Sequence, residues 1–250
     1  MCAMDGAKPI LSESEVHIWL AELSAAPEAA ERAWSLLAAD EQERATRFRF
    51  PHLKENFTLA HGALRCLLAR YVDAAPREIE FVYGEQKKPE VSRPRGRVRF
   101  NMSHSGNLAA YALVIDCEVG IDVEKIELKR DMKGIARRFF SAEECRDLMR
   151  LGGAEFDTGF FTCWTRKEAY IKAAGGGLSI PLSSFRVSLL PGERPALVSL
   201  NGNEAEASEW SLGAFDAGAG YAGAVAYRSR ERRLVAWPRA TAGGIVAGEI

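Results

Sequence analysis

The hydrophobic positions of this chain follow two periods, one typical of strands and one typical of helices. In residues 119–124 an aliphatic side chain alternates with Gly120, Asp122 and Glu124. A period of two indicates a half-buried strand, with the aliphatic side chains on one face and both carboxylates on the other. Because Gly120 has no side chain, the polar face leaves room for whatever lies above it.

The same periods predict elements along the rest of the chain. Residues 57–71 form the clearest amphipathic helix, because Leu64, Leu67, Leu68 and Tyr71 recur at helical spacing. Further helices are predicted at 27–37, 40–48, 133–140, 142–151 and 162–174, strands at 16–20, 79–83, 108–115, 185–190, 196–200 and 221–227, and a polar turn at 101–106.

The order of these elements predicts two domains. Each half of the chain offers strands and helices over a usual domain length. We therefore expect an α+β fold of two similar, pseudo-symmetric α/β lobes, each a small sheet packed on helices, with the active site between them. The lobes are expected at residues 1–117 and 118–237. Residues 238–250 are rich in alanine and glycine and are expected to form a flexible tail.

Composition describes an ordinary globular protein and excludes several classes. Of the 250 residues 47% are hydrophobic and 27% charged, and the net charge of −1 gives no general attraction to nucleic acid or anionic membrane. No apolar run is long enough to span a bilayer, and the first residues lack a signal-peptide pattern. The 5 cysteines are widely spaced without a C-x-x-C pair, which favours a reducing compartment. We expect a cytoplasmic protein.

Carboxylates and lysines supply the candidate chemistry. Asp122 and Glu124 share one strand face, where they need a positive partner such as a hard divalent cation, although a solvated edge strand would also explain them. Glu168 and Lys172 lie one helical turn apart and could equally form a surface pair. Glu144, three residues after Ser141, also fits a capping box. Taken together, these groups suit a Mg²⁺–diphosphate site.

Four segments resemble a known family when they are read in order. They are Asn101–Gly106, Gly120–Lys125 (GIDVEK), Arg138–Glu144 and Trp164–Lys172, the last within WTRKEAYIKAAGGGL. Together they resemble the signatures of the 4'-phosphopantetheinyl transferases. The chain length is similar to that of the monomeric, two-lobed type, which activates nonribosomal peptide and polyketide synthases. The resemblance extends from about Trp19 to Tyr227.

The resemblance implies coenzyme A as the substrate and a serine of an acyl or peptidyl carrier protein as the acceptor, with adenosine 3',5'-bisphosphate released. It implies Mg²⁺, or Mn²⁺ in its place, held by Asp122, Glu124 and Glu168. Glu144 matches a residue assigned as the base, and Glu168 and Lys172 complete the catalytic set. The positions matched to coenzyme A binding are Arg44, Arg47, Arg49, Lys88, Pro89, Ser103, His104, Asp122, Lys167 and Lys172. His61 and Glu41 depart from the family pattern near the 3'-phosphate contacts.

A carrier protein with an acidic helix would need a basic and apolar surface. Residues 125–138 are rich in basic side chains and are followed by two phenylalanines. The expected surface comprises Lys125, Lys129, Arg130, Lys133, Arg137 and Arg138 with Met132, Phe139 and Phe140.

Two other functions remain open from the residues alone. The basic segment Lys87–Arg99, in which Arg93, Arg95, Arg97 and Arg99 alternate, could bind nucleic acid along one face of an extended chain. That hypothesis leaves the three carboxylates unexplained. Another Mg²⁺-dependent phosphoryl enzyme is also possible, although the chain has no P-loop motif.

Overall fold

The computed structural model describes residues 9–127, 131–229 and 232–250. The chain packs as two compact units. The first comprises the described residues of Met1–Tyr83, Pro89–Asp116 and Val235–Ile250, and the second those of Gly84–Lys88 and Cys117–Leu234. Helices pack on small, largely antiparallel sheets, which confirms the predicted α+β class.

The elements are numbered along the chain. The helices are α1 (Pro27–Leu36), α2 (Ala39–Thr46), α3 (Pro51–Ala69), α4 (Met132–Phe139), α5 (Ala142–Leu148), α6 (Gly153–Ala174), α7 (Glu204–Ala207) and α8 (Ala242–Ala247). The strands are β1 (Glu15–Glu22), β2 (Glu80–Tyr83), β3 (Pro89–Arg93), β4 (Val98–Ser105), β5 (Leu108–Ile115), β6 (Val119–Lys125), β7 (Phe185–Val187), β8 (Leu197–Leu200), β9 (Ser211–Ala214), β10 (Tyr221–Tyr227), β11 (Arg233–Ala236) and β12 (Ala240–Thr241).

The first unit is built on a sheet with the strand order β11-β1-β5-β4, and β12 runs parallel to β1. Helix α3 supplies much of its core, because Leu59, Leu64, Leu67 and Leu68 are buried at helical spacing. Strands β2 and β3 form a separate hairpin in the same unit. Within the described chain, no helix is both long and apolar enough to cross a bilayer.

The polar segment at 101–106 is a strand over most of its length, so the predicted turn there is wrong. Ser103 and His104 pair with Ala110 and Ala109 of β5, and the chain reverses only at Gly106, which has φ 57°. Polar residues can occupy a strand because the backbone hydrogen bonds of the ladder do not depend on side-chain polarity.

The C-terminal residues also differ from the prediction, because they are a structured part of the first unit and not a flexible tail. Helix α8 buries Ala242, Ile245 and Val246 in the core that α3 helps to form. Just before it, Trp237 stacks on Trp19 with ring centroids 4.6 Å apart. The small residues that suggested a loose segment instead permit close packing.

The second unit contains a sheet with the order β6-β10-β9, in which Asp122 pairs with Ala224 and Glu124 with Ala222. Helix α6 packs on this sheet. It begins at Gly153, nine residues before the predicted start, because Phe156, Phe160 and Phe161 extend its buried face toward the N-terminus.

Helix α6 packs directly against β6 at Gly120. A Cβ atom at this position would lie 2.2 Å from the carbonyl oxygen of Ala169 and 2.4 Å from the amide nitrogen of Ala173. Both are backbone atoms of the helix, so they cannot rotate away as a side chain could. The group above the polar face of β6 is therefore the backbone of α6, and only glycine permits this contact.

We expect Ile245→Ala to lower the free energy of unfolding by about 2–5 kcal/mol, because it removes a side chain buried against α3. Urea denaturation would measure the change. Glu249→Ala is the matched control: Glu249 is exposed in the same segment, and its loss should change stability by no more than about 0.5 kcal/mol. Equal stability of both variants would mean that the segment contributes nothing to the core.

Gly120→Ala should destabilise the second unit by about 1–3 kcal/mol or more, since the added methyl group forces α6 away from β6. Gly96→Ala provides the control, because a Cβ at Gly96 has no atom within 4 Å. Denaturant unfolding of both variants would compare them directly. Wild-type stability in Gly120→Ala would contradict the close contact.

Candidate active site

Two carboxylates of β6 lie on the strand face that α6 covers. Asp122 is buried, with 3% of its surface exposed, and Glu124 is half-buried near the end of the strand. They occupy alternate positions with Gly120, as the strand period requires. The prediction that both carboxylates share the face of Gly120 is therefore consistent with the paired register of β6 and β10.

Helix α6 presents Glu168 and Lys172 one turn apart on one face. The Nζ of Lys172 lies 2.7 Å from Oδ1 of Asp122 and donates to the carbonyl oxygen of Ile121 at 3.2 Å. The ammonium group is partly exposed and the carboxylate is buried. Lys172 therefore links α6 to β6, and its charge also acts on Glu168 one turn away.

Glu168 lies within the electrostatic reach of the same groups. Burial raises the pKa of its carboxyl group to about 6, and the negative charges of Asp122 and Glu124 act in the same direction, while Lys172 opposes them. Asp122 and Glu124 of β6 therefore lie close enough to Glu168 of α6 to act on its carboxyl group. A carboxyl group with a pKa near neutrality can also exchange a proton under physiological conditions.

These carboxylates have the right chemistry for a hard divalent cation, which prefers oxygen ligands. A cation between them would also relieve the repulsion that adds to the effect of burial in raising the pKa of Glu168. In the geometry that the structure describes, however, no three His, Cys, Asp or Glu side chains are gathered as a ready metal cage. The donor set fits the ion chemically, and the ammonium group of Lys172 lies 2.7 Å from Asp122.

Lys88 lies at the C-terminal end of α6. Its Nζ donates to the carbonyl oxygen of Ala173 at 3.2 Å and lies 3.1 Å from Oε2 of Glu118. A cation at this end is favourable because the last carbonyl groups of a helix carry partial negative charge. Glu118 was not predicted, and its only signal was its position directly before β6. Pro89 follows Lys88 and begins β3 in the first unit.

The other predicted contacts of coenzyme A belong to the first unit. Ser103 is half-buried and His104 exposed near the end of β4. Arg44 and Arg49 lie over the rings of Phe57 and Phe50, at 5.2 Å and 5.7 Å from the ring centroids. Arg47 is exposed and pairs with Glu43 at 2.5 Å.

Glu41 and His61, the two departures from the family pattern, form one buried network. Oε2 of Glu41 lies 2.7 Å from Arg65 and accepts a hydrogen bond from the amide of Ala38, while Oε1 lies 3.0 Å from His61. Burial tends to raise the pKa of Glu41, but the contacts with His61, Ala38 and Arg65 hold it below its ordinary value. Both residues therefore have a structural partner in this chain.

The assignment of Glu144 as the catalytic base is wrong on this structure. The side chain is fully buried. Its Oε1 accepts from the amide of Val187 at 2.7 Å, and its Oε2 accepts from the amide of Ser141 at 2.8 Å and contacts Lys167 at 2.8 Å. A base must reach its proton, and no carrier serine can reach this carboxylate. The capping-box alternative is confirmed.

Lys167 likewise cannot bind coenzyme A as predicted. Its side chain is fully buried, and its Nζ donates to the carbonyl oxygens of Leu182 and Phe185 at 2.7 Å and 2.6 Å in addition to pairing with Glu144. Its neighbour Arg166, which was not predicted, donates to the carbonyl oxygen of Ser188 at 2.6 Å. The sequence signal for the buried Arg166 and Lys167 was a pair of adjacent basic residues within an otherwise apolar part of the helix.

The structure divides the basic segment of the nucleic-acid hypothesis between two strands. β3 ends at Arg93 and β4 begins at Val98, so the four arginines do not lie on one continuous strand. Arg97 pairs with both Glu13 and Asp116, and Arg93 lies 3.6 Å from Glu80. Arg93 and Arg97 therefore already have carboxylate partners within the protein.

Comparisons with known proteins agree with this arrangement. A model of the 4'-phosphopantetheinyl transferase superfamily matches residues 118–226, which include both β6 and α6. The 4'-phosphopantetheinyl transferase HetI of Nostoc sp. is 34% identical over 204 residues, covering 81% of this chain and 83% of HetI. Sfp of Bacillus subtilis, a 4'-phosphopantetheinyl transferase, is 34% identical over 160 residues, or 64% of this chain and 69% of Sfp.

A third relative, the 4'-phosphopantetheinyl transferase psf-1 of Bacillus pumilus, is 37% identical over 150 residues, which are 60% of this chain and 63% of that protein. The similarity to HetI extends over most of both chains, so it includes more than the matched motif region. The chain therefore belongs to the 4'-phosphopantetheinyl transferase superfamily and is a transferase of this type.

Proposed function

We propose that this transferase works with Mg²⁺, or Mn²⁺ in its place, held by Asp122, Glu124 and Glu168. It moves the phosphopantetheine arm of coenzyme A to the serine of an apo carrier protein. The observation that carries the proposal is geometric: α6 covers the face of β6 that holds Asp122 and Glu124, and Lys172, one turn after Glu168, lies 2.7 Å from Asp122. When bound, the ion would neutralise negative charge that builds up on the diphosphate during transfer.

Lysine side chains are proposed to bind the diphosphate. Lys172 is partly exposed beside Asp122, so its ammonium group can contact a phosphoryl oxygen and offset its charge. Lys88, whose Nζ contacts the C-terminal end of α6, is proposed to add a second positive charge. Ser103 and His104, together with the arginines Arg44, Arg47 and Arg49, are proposed to contact the remainder of coenzyme A.

Glu168 is proposed as the base. With Glu144 buried, Glu168 is the carboxylate left in the predicted catalytic set. It is half-exposed, so the hydroxyl group of the carrier serine can approach its carboxylate directly or through a water molecule. It can therefore accept the proton of the carrier serine as the oxygen attacks the β-phosphorus.

The carrier protein is proposed to bind at α4. Lys133, Arg137 and Arg138 are exposed there, and 40% of the surface of Phe139 is exposed. Met132 and Phe140 are buried in the core, so the prediction that they contribute to this surface is wrong. Lys125 forms an ion pair with Glu127. Lys129 and Arg130, which were also predicted, lie outside the described residues.

The proposal extends to the setting of the enzyme. Cys66, Cys117, Cys145 and Cys163 are all free thiols, which supports action in a reducing compartment such as the cytoplasm. We further propose that a single chain is the active form, because one chain supplies both units. Peptidyl, polyketide and fatty-acid carrier proteins are the candidate acceptors.

Asp122→Asn and Glu168→Gln should each lower the rate of transfer by roughly 100- to 10,000-fold, since each removes a charge required by the proposed ion or base. Mass spectrometry of an apo carrier protein incubated with coenzyme A and Mg²⁺ would measure the gain of one phosphopantetheine. Glu155→Gln, an exposed change in the first turn of the same helix, should leave the rate unchanged. Normal turnover in Asp122→Asn would exclude the proposed metal site.

Arg138→Glu should raise the KM for the carrier protein on the order of tenfold while leaving the KM for coenzyme A unchanged, because it reverses a charge on the proposed docking surface. Steady-state kinetics with each substrate varied in turn would separate the two constants. Arg77→Glu reverses an equally exposed arginine of the first unit and should change neither constant. An unchanged KM for the carrier in Arg138→Glu would exclude α4 as the docking site.

A further inference from the structure

In the fully buried ion pair between Glu144 and Lys167 of the second unit, every charged atom has a hydrogen-bond partner. The ammonium of Lys167 has three N–H donors, and Glu144, Leu182 and Phe185 provide three acceptors at 2.6–2.8 Å. The carboxylate of Glu144 is equally occupied by main-chain amides and by Lys167. We propose that Glu144 and Lys167 are positioning residues, which fix the rotation of α6 and thereby hold Glu168 toward β6. The proposal rests on the role of Glu168 given above.

The partners of the pair are mostly backbone atoms. Lys167 binds the carbonyl groups at the start of β7 and just before it, and Glu144 binds the amide groups of Ser141 and Val187. Main-chain atoms cannot adapt by changing rotamer, so each bond constrains a whole segment. The pair therefore joins the beginning of α5, the strand β7 and the middle of α6 at one point.

Arg166 supplies a second anchor on the neighbouring helical position. Its guanidinium donates to the carbonyl oxygen of Ser188 at 2.6 Å and contacts Oγ of the same residue at 3.0 Å, and 7% of its surface is exposed. Successive side chains project about 100° apart around a helix. Two anchors in two directions, with the close contact at Gly120, leave α6 little freedom to rotate about its axis.

The rotation of α6 matters because Glu168 follows Lys167 directly. Side-chain ends lie about 5–6 Å from a helix axis, so a rotation of only ~10° moves such a group by about 1 Å. A displacement of ~1 Å in an active site can lower a rate by about 100-fold. Lys172, which reaches Asp122 at 2.7 Å, would move with Glu168.

The first unit contains the same arrangement, which indicates that its purpose is architectural. Glu41 is the third residue of α2, accepts from the amide of Ala38 and pairs with Arg65 of the long helix α3. Arg65 also donates to two carbonyl groups, those of Pro76 and Ile79, at 3.1 Å and 2.8 Å. In both units, a buried glutamate at the start of a short helix thus orients a long helix through a cation.

The residue after the cation differs between the two units. Arg65 is followed by Cys66. Burial raises the pKa of the Cys66 thiol to about 11, so the thiol stays protonated. Lys167 is followed by the half-exposed carboxylate of Glu168. The shared arrangement therefore orients a helix in each unit, and only α6 carries a proposed catalytic group at the next position.

The double variant Glu144→Leu/Lys167→Met tests the proposal, because it keeps most of the side-chain volume and removes both charges together with their bonds to four main-chain groups. We expect a cooperatively folded protein whose kcat falls by roughly 10- to 100-fold while the KM for coenzyme A changes less than about twofold. Mn²⁺ binding, followed by electron paramagnetic resonance, should weaken by about tenfold. A folded double variant with wild-type kcat and wild-type Mn²⁺ affinity would overturn the proposal.

Glu144→Asp decides the question if the double variant does not fold. It keeps the charge but withdraws the carboxylate by about one bond length, ~1.5 Å, so the pair persists with shifted geometry. We expect about a tenfold lower kcat and weaker Mn²⁺ binding in the folded protein, and wild-type values for both would again overturn the proposal. Glu143→Gln/Arg146→Met removes an exposed pair on the same helix and should leave both values unchanged.

Failure of the proposed function would give a different result. In that case the wild-type protein itself would bind no Mn²⁺ at the site, or Glu168→Gln would transfer phosphopantetheine at the normal rate. If only the positioning role is wrong, the wild-type protein still binds Mn²⁺ and transfers phosphopantetheine. The variants Glu144→Leu/Lys167→Met and Glu144→Asp then keep wild-type kcat and Mn²⁺ affinity.

Discussion

The close contact between α6 and β6 at Gly120 is the constraint on which the candidate site depends. Because glycine has no Cβ, the helix backbone approaches the strand directly, and a methyl group would lie 2.2 Å from the carbonyl oxygen of Ala169. At this separation the side chains of Asp122 and Lys172 can meet across the contact. A larger residue would separate the strand that carries two carboxylates from the helix that carries the third.

The second unit uses charge in two physically different ways. Glu144 and Lys167 are fully buried, and each polar atom has a partner, so their charges are balanced internally and inaccessible to ligands. Glu168 is half-exposed, and burial with the charge of Asp122 raises its pKa to about 6. The pair of Glu144 and Lys167 fixes geometry, whereas the negative charge around Glu168 can still be neutralised by a substrate group or an ion.

Both units orient their longest helix with a buried ion pair anchored to main-chain groups. Breaking such a pair by removing one partner typically costs about 3–5 kcal/mol, although apolar replacement of both partners is often tolerated. The pairs Glu41–Arg65 and Glu144–Lys167 therefore contribute to the orientation of α3 and α6 more than to the free energy of unfolding.

The sequence alone determined the α+β class, most of the strands and helices, the acidic strand and the family, because periodicity and short motifs are local properties. It could not separate Lys167 from Lys172, since both are lysines of one motif and only packing makes the first inaccessible and the second partly exposed. The same holds for Glu144, whose capping box and catalytic interpretations share one spacing. The C-terminal helix likewise depended on distant partners: its small residues are unremarkable until α3 covers them. Burial is a property of the whole chain, and it decided which charged residues are available for chemistry.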